Sequence, residues 1–551
     1  MALHRAEQIK QIRDRLIDRA AASSPLWSVP VFPSARNTAN ALMMGCLLSR
    51  LPDEDATALC TSILEEQNEN GSWSKQRGDN GDISVTLEVL EALSLARLHD
   101  TREAIDRSIR WIEQHRVSGE LEWESLLLLG AVNDSPRHRW TKLLGSLLDF
   151  GFLKKAIRKT NPASKSVKQA YHILSTTKDN VLGQHYRLIE LQRPDGSWDG
   201  LTRVTTLALT ALRHTGLPND DAAIERGWRF LRGQQHWSTT GLVQNPCDFS
   251  TFMHASAIRA LVSMGATAND VAGSILSLLH AQRASGGWGI GSQLPTDTIT
   301  TSLTLNALSA VGDHPIETGW SRRRAEMLLL STQHRDGGWP LYLNSRNPYT
   351  YHPLLVRSAG SPDASAMALI ALAANESTHP DLQGALSRAV AFLTNSQQKD
   401  GFWASDIIGN DLCTTSRAIE ALSCADTEGS RRAILKGIRV LREKQHADGG
   451  WGVSGPSTPA ETAWVVRALQ RIPGLYKHAI SQARDYLMHE LDSSGLVWNS
   501  NSSTFPIPFE DIPVELWDLT TMWALEAYSP APRRTPRITK RRAKSIFDRR
   551  T

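Results

Sequence analysis

Gln282-Arg-Ala-Ser-Gly-Gly-Trp288 decides how this chain folds, because the pattern Gln-x-x-x-Gly-x-Trp returns at residues 67–73, 192–198, 333–339, 397–403 and 445–451. Looser copies end at Trp123, Trp237 and Trp498. From Trp237 onward the tryptophans are spaced 51, 51, 64, 48 and 47 residues apart, a period that holds two helices and two connections. In each copy an apolar periodic segment ends at the Gln, a turn carrying Asp, Asn or Gly follows, and a second apolar segment begins beyond the Trp. Leu276, Leu278, Leu279 and Ala281 lead into the quoted copy, and Thr301, Leu303, Leu305, Ala307 and Leu308 form the run after it, both at helical spacing. Glycine supplies the freedom that a helix C-terminus needs, while Gln and Trp can tie the turn to the next helix. Each repeat is thus a helical hairpin. Neighbouring hairpins must bury each other's apolar faces, as an open solenoid or as a closed double ring of inner and outer helices.

Composition agrees with a large globular protein. The 551 residues, 41% of them hydrophobic, suffice for two domains with substantial cores. Tryptophan is in excess, 17 against 8 Tyr and 11 Phe, and the repeats use much of that excess. Residues 1–22 read as a charged amphipathic helix rather than a signal peptide, and no apolar stretch is long enough to span a membrane. Five cysteines, an odd number without metal-type pairing, point to a reducing cytoplasm and no structural disulfide. The net charge of +4 conceals an asymmetry: residues 531–551 hold nine Lys or Arg and one Asp, which leaves 52 basic and 56 acidic residues, a net of −4, in the rest. That basic tail reads as disordered, with tethering to anionic lipid or nucleic acid as its functional alternative. The mildly acidic body is not a nucleic-acid binder. The stretch at residues 142–159 mixes Leu and Phe with Lys and Arg, which suits a core helix with a basic end or a peripheral membrane contact.

Catalytic groups are sought where inner helices begin, because those ends face one end of a ring's interior. Asp82, Asp297, Asp363 and Asp411 each stand there among Ser or Thr. Any one of them alone is explained by helix capping.

The repeats resemble the QW motifs of squalene-hopene cyclases and class II diterpene cyclases and, more loosely, of protein prenyltransferase β subunits. The resemblance implies an all-α fold of two α/α toroids, double barrels of inner and outer helices called γ and β in class II cyclases. The expected division is a first, γ-like toroid with the amino-terminal helix at 1–245, a second, β-like toroid at 246–530, and the basic tail at 531–551. It also singles out one helix start. Class II cyclases carry Asp-x-Asp-Asp there, whose middle Asp donates a proton to an alkene or epoxide. The run ending at Ala307 and Leu308 aligns Asp297-Thr-Ile-Thr300-Thr301 with that motif. Pro246-Cys247-Asp248 before it and Glu461-Thr462-Ala463 after it follow the order of bacterial diterpene cyclases.

The departure matters as much as the match. Ile299 stands at the proton donor's position, and isoleucine donates no proton. Three readings follow. The first is a terpene cyclase-like enzyme acting on a linear C15–C20 isoprenoid diphosphate, with magnesium accompanying the diphosphate and the acid supplied by Asp297, Asp363 or Asp411, beside Thr300 and Thr301. The second is magnesium-dependent ionisation or hydrolysis of such a diphosphate. The third is a non-catalytic toroid that binds or assembles. Aromatic side chains suited to a cation-handling cavity are Phe249, Phe252, Tyr342, Tyr351, Trp464 and Trp517, and the aromatic insertion at 340–360 is a lid candidate. Asp411-Leu-Cys413 has the local form of a prenyltransferase zinc pair, but Ala460, Glu461 and Thr462 stand where its His would be. No phosphate loop, dinucleotide fingerprint or hydrolase triad is found.

Overall fold

The computed structural model describes residues 2–21, 35–74, 81–115, 165–174, 183–237, 241–292, 294–311, 316–342, 359–375, 377–407, 409–425, 427–453, 455–472, 476–491, 498, 503–507, 510–514 and 517–529. The basic tail, the stretch at 142–159, Trp123, Tyr351 and most of the 340–360 insertion lie outside these residues, as does the side chain of Trp517.

The QW motif is a hydrogen-bonded device repeated with little variation. Gln282 Nε2 donates to Gly286 O at 2.7 Å and to Ser321 O of the following outer helix at 2.9 Å. Trp288 Nε1 donates back to Leu278 O at 2.7 Å, and its amide donates forward to Thr301 Oγ1 at 3.0 Å. Gly286 makes the turn at φ +96°, with the Arg324 carbonyl 2.8 Å from where a Cβ would stand, so no other residue fits without strain. Gln67, Gln192, Gln333, Gln397 and Gln445 repeat the double donation. Their tryptophan amides find Thr86, Thr205, Ser365, Thr415 and Thr462. Trp498 repeats the tryptophan half of the device, with Leu487 O and Thr521 Oγ1, without the Gln. Trp237 is not one: it lies in a β-hairpin, 67% exposed.

Each motif therefore clamps one outer helix to the next outer helix and to the inner helix between them. In the first half, the inner helices are α2 (Ala35–Leu48), α4 (Ile83–Ala96), α6 (Lys165–Leu174) and α8 (Thr202–His214). Around them lie α3 (Asp53–Glu65), α5 (Arg102–His115), α7 (Gln184–Ile189) and α9 (Ala222–Gly233). Helix α2 packs on both α4 and α8, and α6 packs on α8.

In the second half the ring closes. The inner helices are α10 (Ser250–Ser263), α12 (Thr298–Val311), α14 (Pro362–Ala374), α16 (Asp411–Leu422), α18 (Pro459–Leu469) and α20 (Trp517–Tyr528). Each packs on the next, and α20 returns to α10. The outer layer is α11 (Ala272–Ala281), α13 (Gly319–Thr332), α15 (Leu382–Ser396), α17 (Glu428–Glu443) and α19 (Lys477–His489). Its sixth member is α1 (Ala2–Ala21), which packs on α10 and α11 and reaches α19 through an Arg5–Asp485 ion pair at 2.6 Å. The amino-terminal helix thus completes the second toroid, although the expected division at 245 grouped it with the first. Among the described residues no helix is long and apolar enough to cross a membrane.

Candidate functional site

The clamp fixes a register for every inner helix. The hydroxyl that holds the Trp amide points outward. At about 100° per residue, positions two before and two after it point about 160° away, toward the bore. Two before the hydroxyl stand Ile299 on α12, Asp363 on α14, Cys413 on α16 and Ala460 on α18. Asp363 therefore holds, one repeat later, the place that Ile299 occupies on α12. As one helix-start Asp among several, Asp363 was explained by capping; the register gives a reason to consider it further.

Asp297 opens α12. Its Oδ1 accepts the Thr300 amide at 2.6 Å, the expected cap, and its own amide donates to Trp288 O at 3.0 Å. The chain beyond Trp339 crosses this helix start: Thr298 donates its amide to Leu341 O at 2.7 Å and its hydroxyl to Pro340 O at 2.5 Å, and Tyr342 pairs with Asp297 in an antiparallel bridge. Asp297 is left 6% exposed. Burial pushes its carboxyl up to about 7, against hydrogen bonds from Thr300 and the amides of Ile299 and Ile290. The physical cause is desolvation of the charged form. A carboxyl so placed holds its proton near neutral pH. Ile299 beside it is 6% exposed.

The other expected groups are dispersed. Thr301 is wholly buried against Trp288, where its hydroxyl both accepts the indole residue's amide and donates to its carbonyl, as Thr86 does for Trp73. Asp363 is fully buried rather than capping, since Ser361 caps α14. Its Oδ2 accepts from Ser405 Oγ at 2.9 Å and from the amides of Asp406 and Ile407 at 3.1 and 2.9 Å, and its Oδ1 accepts from Thr414 Oγ1. Asp363 thereby pins the loop before α16. Asp411 is exposed and accepts the Ser405 amide at 2.7 Å, while Asn410 caps α16. It does not face the interior. Cys413 is fully buried and its thiol pushed up to about 12 by burial, so Asp411 and Cys413 form no zinc pair. Among the described residues no three His, Cys, Asp or Glu side chains converge as a metal site. Phe249 and Phe252 are buried at the start of α10, and Tyr342 is half-buried beside Asp297. Trp464 packs edge to face with Trp523 at 4.9 Å. That pair lies two residues after the clamping hydroxyls of α18 and α20, hence on the bore side.

Comparison with known proteins gives the family. The squalene-hopene cyclase C-terminal domain matches residues 253–410 and 363–510, and the squalene-hopene cyclase N-terminal domain matches residues 9–120. The chain belongs to the squalene-hopene cyclase and class II terpene cyclase superfamily. A drimenyl diphosphate synthase from Streptantibioticus cattleyicolor is 27% identical over 377 residues, 63% of this chain and 65% of that protein. A (+)-kolavenyl diphosphate synthase from Herpetosiphon aurantiacus is 32% identical over 137 residues, 24% of this chain and 25% of that one. The chain thus spans less than two thirds of the length of these curated relatives. Among solved structures, the ent-copalyl diphosphate synthase from Streptomyces platensis superposes with a TM-score of 0.63 at 19% identity, covering 95% of this chain and 99% of that one. That likeness is one of fold.

Proposed function

We propose that this superfamily member is a terpene cyclase that starts its reaction by protonating a linear C15–C20 isoprenoid diphosphate, with Asp297 as the acid. The single observation that carries the reading is the buried Asp297 carboxyl, raised to about 7 at the start of α12 and next to the position where class II cyclases keep their donor. The names of the relatives, diphosphate synthases, supply the substrate class. In this reaction the proton leaves Asp297 for one carbon of the terminal alkene, internal alkenes capture the cation in turn, and a final C–H loses a proton, with the diphosphate retained. Aromatic faces such as Trp464 and Trp523 would stabilise the cation on its way. Magnesium enters only as a companion of the diphosphate, and no step is routed through it, because the described residues offer it no cluster.

Asp363 is the second candidate, on the ground of its register. Four protein donors tie its oxygens to α16 and the loop before it, whereas Asp297 opens the helix that the motif alignment singles out, and we take Asp297 as the acid. The test is incubation with farnesyl and geranylgeranyl diphosphates and magnesium, followed by dephosphorylation and mass spectrometry. Cyclic product from the native chain, lost in Asp297→Asn and raised in Ile299→Asp, is the expected result. Product that survives Asp297→Asn but not Asp363→Asn moves the acid to α14. No product from the native chain or from Ile299→Asp leaves the non-catalytic toroid.

A further inference from the structure

The bore of the second ring carries a charged layer that the proposed cyclisation does not use. Two and five residues after the clamping hydroxyls stand Arg417 and Glu420 on α16, Trp464 and Arg467 on α18, and Trp523 and Glu526 on α20. Arg259 on α10 and Arg471, just past the end of α18, complete the layer. Arg259 donates Nε and Nη2 to the two Glu526 oxygens at 2.8 and 2.9 Å. Arg467 donates Nε and Nη2 to Glu420 Oε1 at 3.0 and 2.8 Å and pairs with Glu526 through Nη1. Arg471 Nη2 reaches the same Glu420 oxygen at 3.2 Å. In these pairs the side chains are between 5% and 20% exposed.

The layer is not balanced. Within the layer four guanidiniums stand with two carboxylates, an excess of two positive charges, and Asp363 and Glu461, which with Arg417 act on Cys413, lie toward the amino ends of the helices. The inner helices run the same way round the ring, so their carboxyl ends gather here and offset part of that excess. A helix end supplies a field, but among the described residues two buried donors still lack acceptors and the half-buried Arg417 stands unpaired. Arg471 Nε is buried with no partner. The indole Nε1 of Trp464, one turn before Arg467 and 5% exposed overall, has none either. Arg417 makes no hydrogen bond or ion pair among the described residues. Burial lowers the Arg259 guanidinium to about 10; Glu420 opposes this, while Arg417 and Arg471 add to it, as cations crowded together must. Water would satisfy the donors and leave the charge; buried donors and buried charge together call for an anion.

We propose that this layer binds a phosphate-class oxyanion, held by Arg417 and Arg471 with the Trp464 N–H beside them. At 1.5 Å per residue Trp464 and Arg417 stand about 8–9 Å and Arg471 about 18 Å along the helix axes from their amino ends, so the layer is separate from Asp297. Free phosphate or diphosphate and the head of an isoprenoid diphosphate present the same chemistry, and arginine suits both.

The full chain is titrated with inorganic phosphate and inorganic diphosphate, with heat and tryptophan fluorescence as readouts. Saturable binding is expected, weakened at least about tenfold in Arg417→Gln and Arg471→Gln, a loss of 1.4 kcal/mol or more, and unchanged in Arg323→Gln, which removes one exposed charge on α13. Arg417→Gln breaks no pair, so it decides the matter even where Arg471→Gln fails to fold. Absence of saturable binding, or equal affinities in Arg417→Gln and the native chain, overturns the proposal. Binding is expected to persist in Asp297→Asn, which separates this site from the failure of the cyclase reading. In that variant, competition between farnesyl diphosphate and inorganic diphosphate assigns the site to a substrate head, and independent binding assigns it to a free anion.

Discussion

Asp297 couples chemistry and stability through one desolvated carboxyl. Its value of about 7 exceeds the ordinary 3.8, so between those values the folded chain holds a proton that the unfolded chain has released. The contribution is fully present below the ordinary value and is lost as pH rises through 7. Above pH 8 the loss relative to acid conditions is on the order of 4 kcal/mol as an upper bound. Denaturant melts of the native chain and Asp297→Asn across this range test it: the Asn variant, which has nothing to ionise, should lose less stability on going from about pH 4.5 to pH 8. Parallel curves would mean that the carboxyl is ionised throughout. For the same reason, turnover that depends on this proton should fall above about pH 7. Asp297 was legible in the chain as a motif remnant, but its burial was not, because that depends on residues 339–342 crossing the helix start. Asp411 shows the converse. It stands four residues before its clamping hydroxyl, as Asp297 does, and is nonetheless exposed, so register alone does not decide burial at this position.

At the scale of the element, the repeated clamp explains why Thr301 belongs to the frame. It accepts the Trp288 amide as Thr415 accepts that of Trp403, on a helix whose acid candidate, Asp411, is exposed. Removing one partner of a buried hydrogen bond costs about 1–3 kcal/mol. Thr301→Val and Thr415→Val should therefore lower stability by similar amounts in that range, and both should leave product formation per folded molecule unchanged. A collapse of turnover in Thr301→Val alone, with the melts alike, would restore Thr301 to the chemistry. The hairpins themselves were readable because each clamp is local: Gln, Gly and Trp lie within seven residues, and only the bonds to Ser321 and Thr301 reach other helices. Trp237 misled because spacing places a tryptophan without its clamp. It has no Gln four residues before a turn glycine, and the chain there pairs Gln235–Trp237 with Leu242–Gln244 as a hairpin instead.

For the whole molecule, closure rests on contacts that no repeat announces. The pairing of α20 with α10 joins residues 267 apart through Arg259 and Glu526, and the sixth outer position is filled from the far end of the chain by α1. An amphipathic helix at residues 2–21 fits any apolar surface, which is why its sequence could not say which ring it serves. Its place can be tested directly. Ile12 and Leu16 are fully buried, and Ser274 of α11 donates to Ala20 O at 3.4 Å. Fully burying side chains of this kind contributes about 1.5–3 kcal/mol each. Ile12→Ala with Leu16→Ala should accordingly lower stability by several kcal/mol, and hydrogen exchange should locate the loss. Amides of α10, α11 and α19 should exchange faster, with α2, α4 and α8 keeping their protection until global unfolding. If instead α2 and α4 lose protection first, the amino-terminal helix supports the first ring and the second must close without it. The location of the loss is informative because a ring that lacks one outer helix still keeps its inner contacts, so local opening should precede unfolding of the whole.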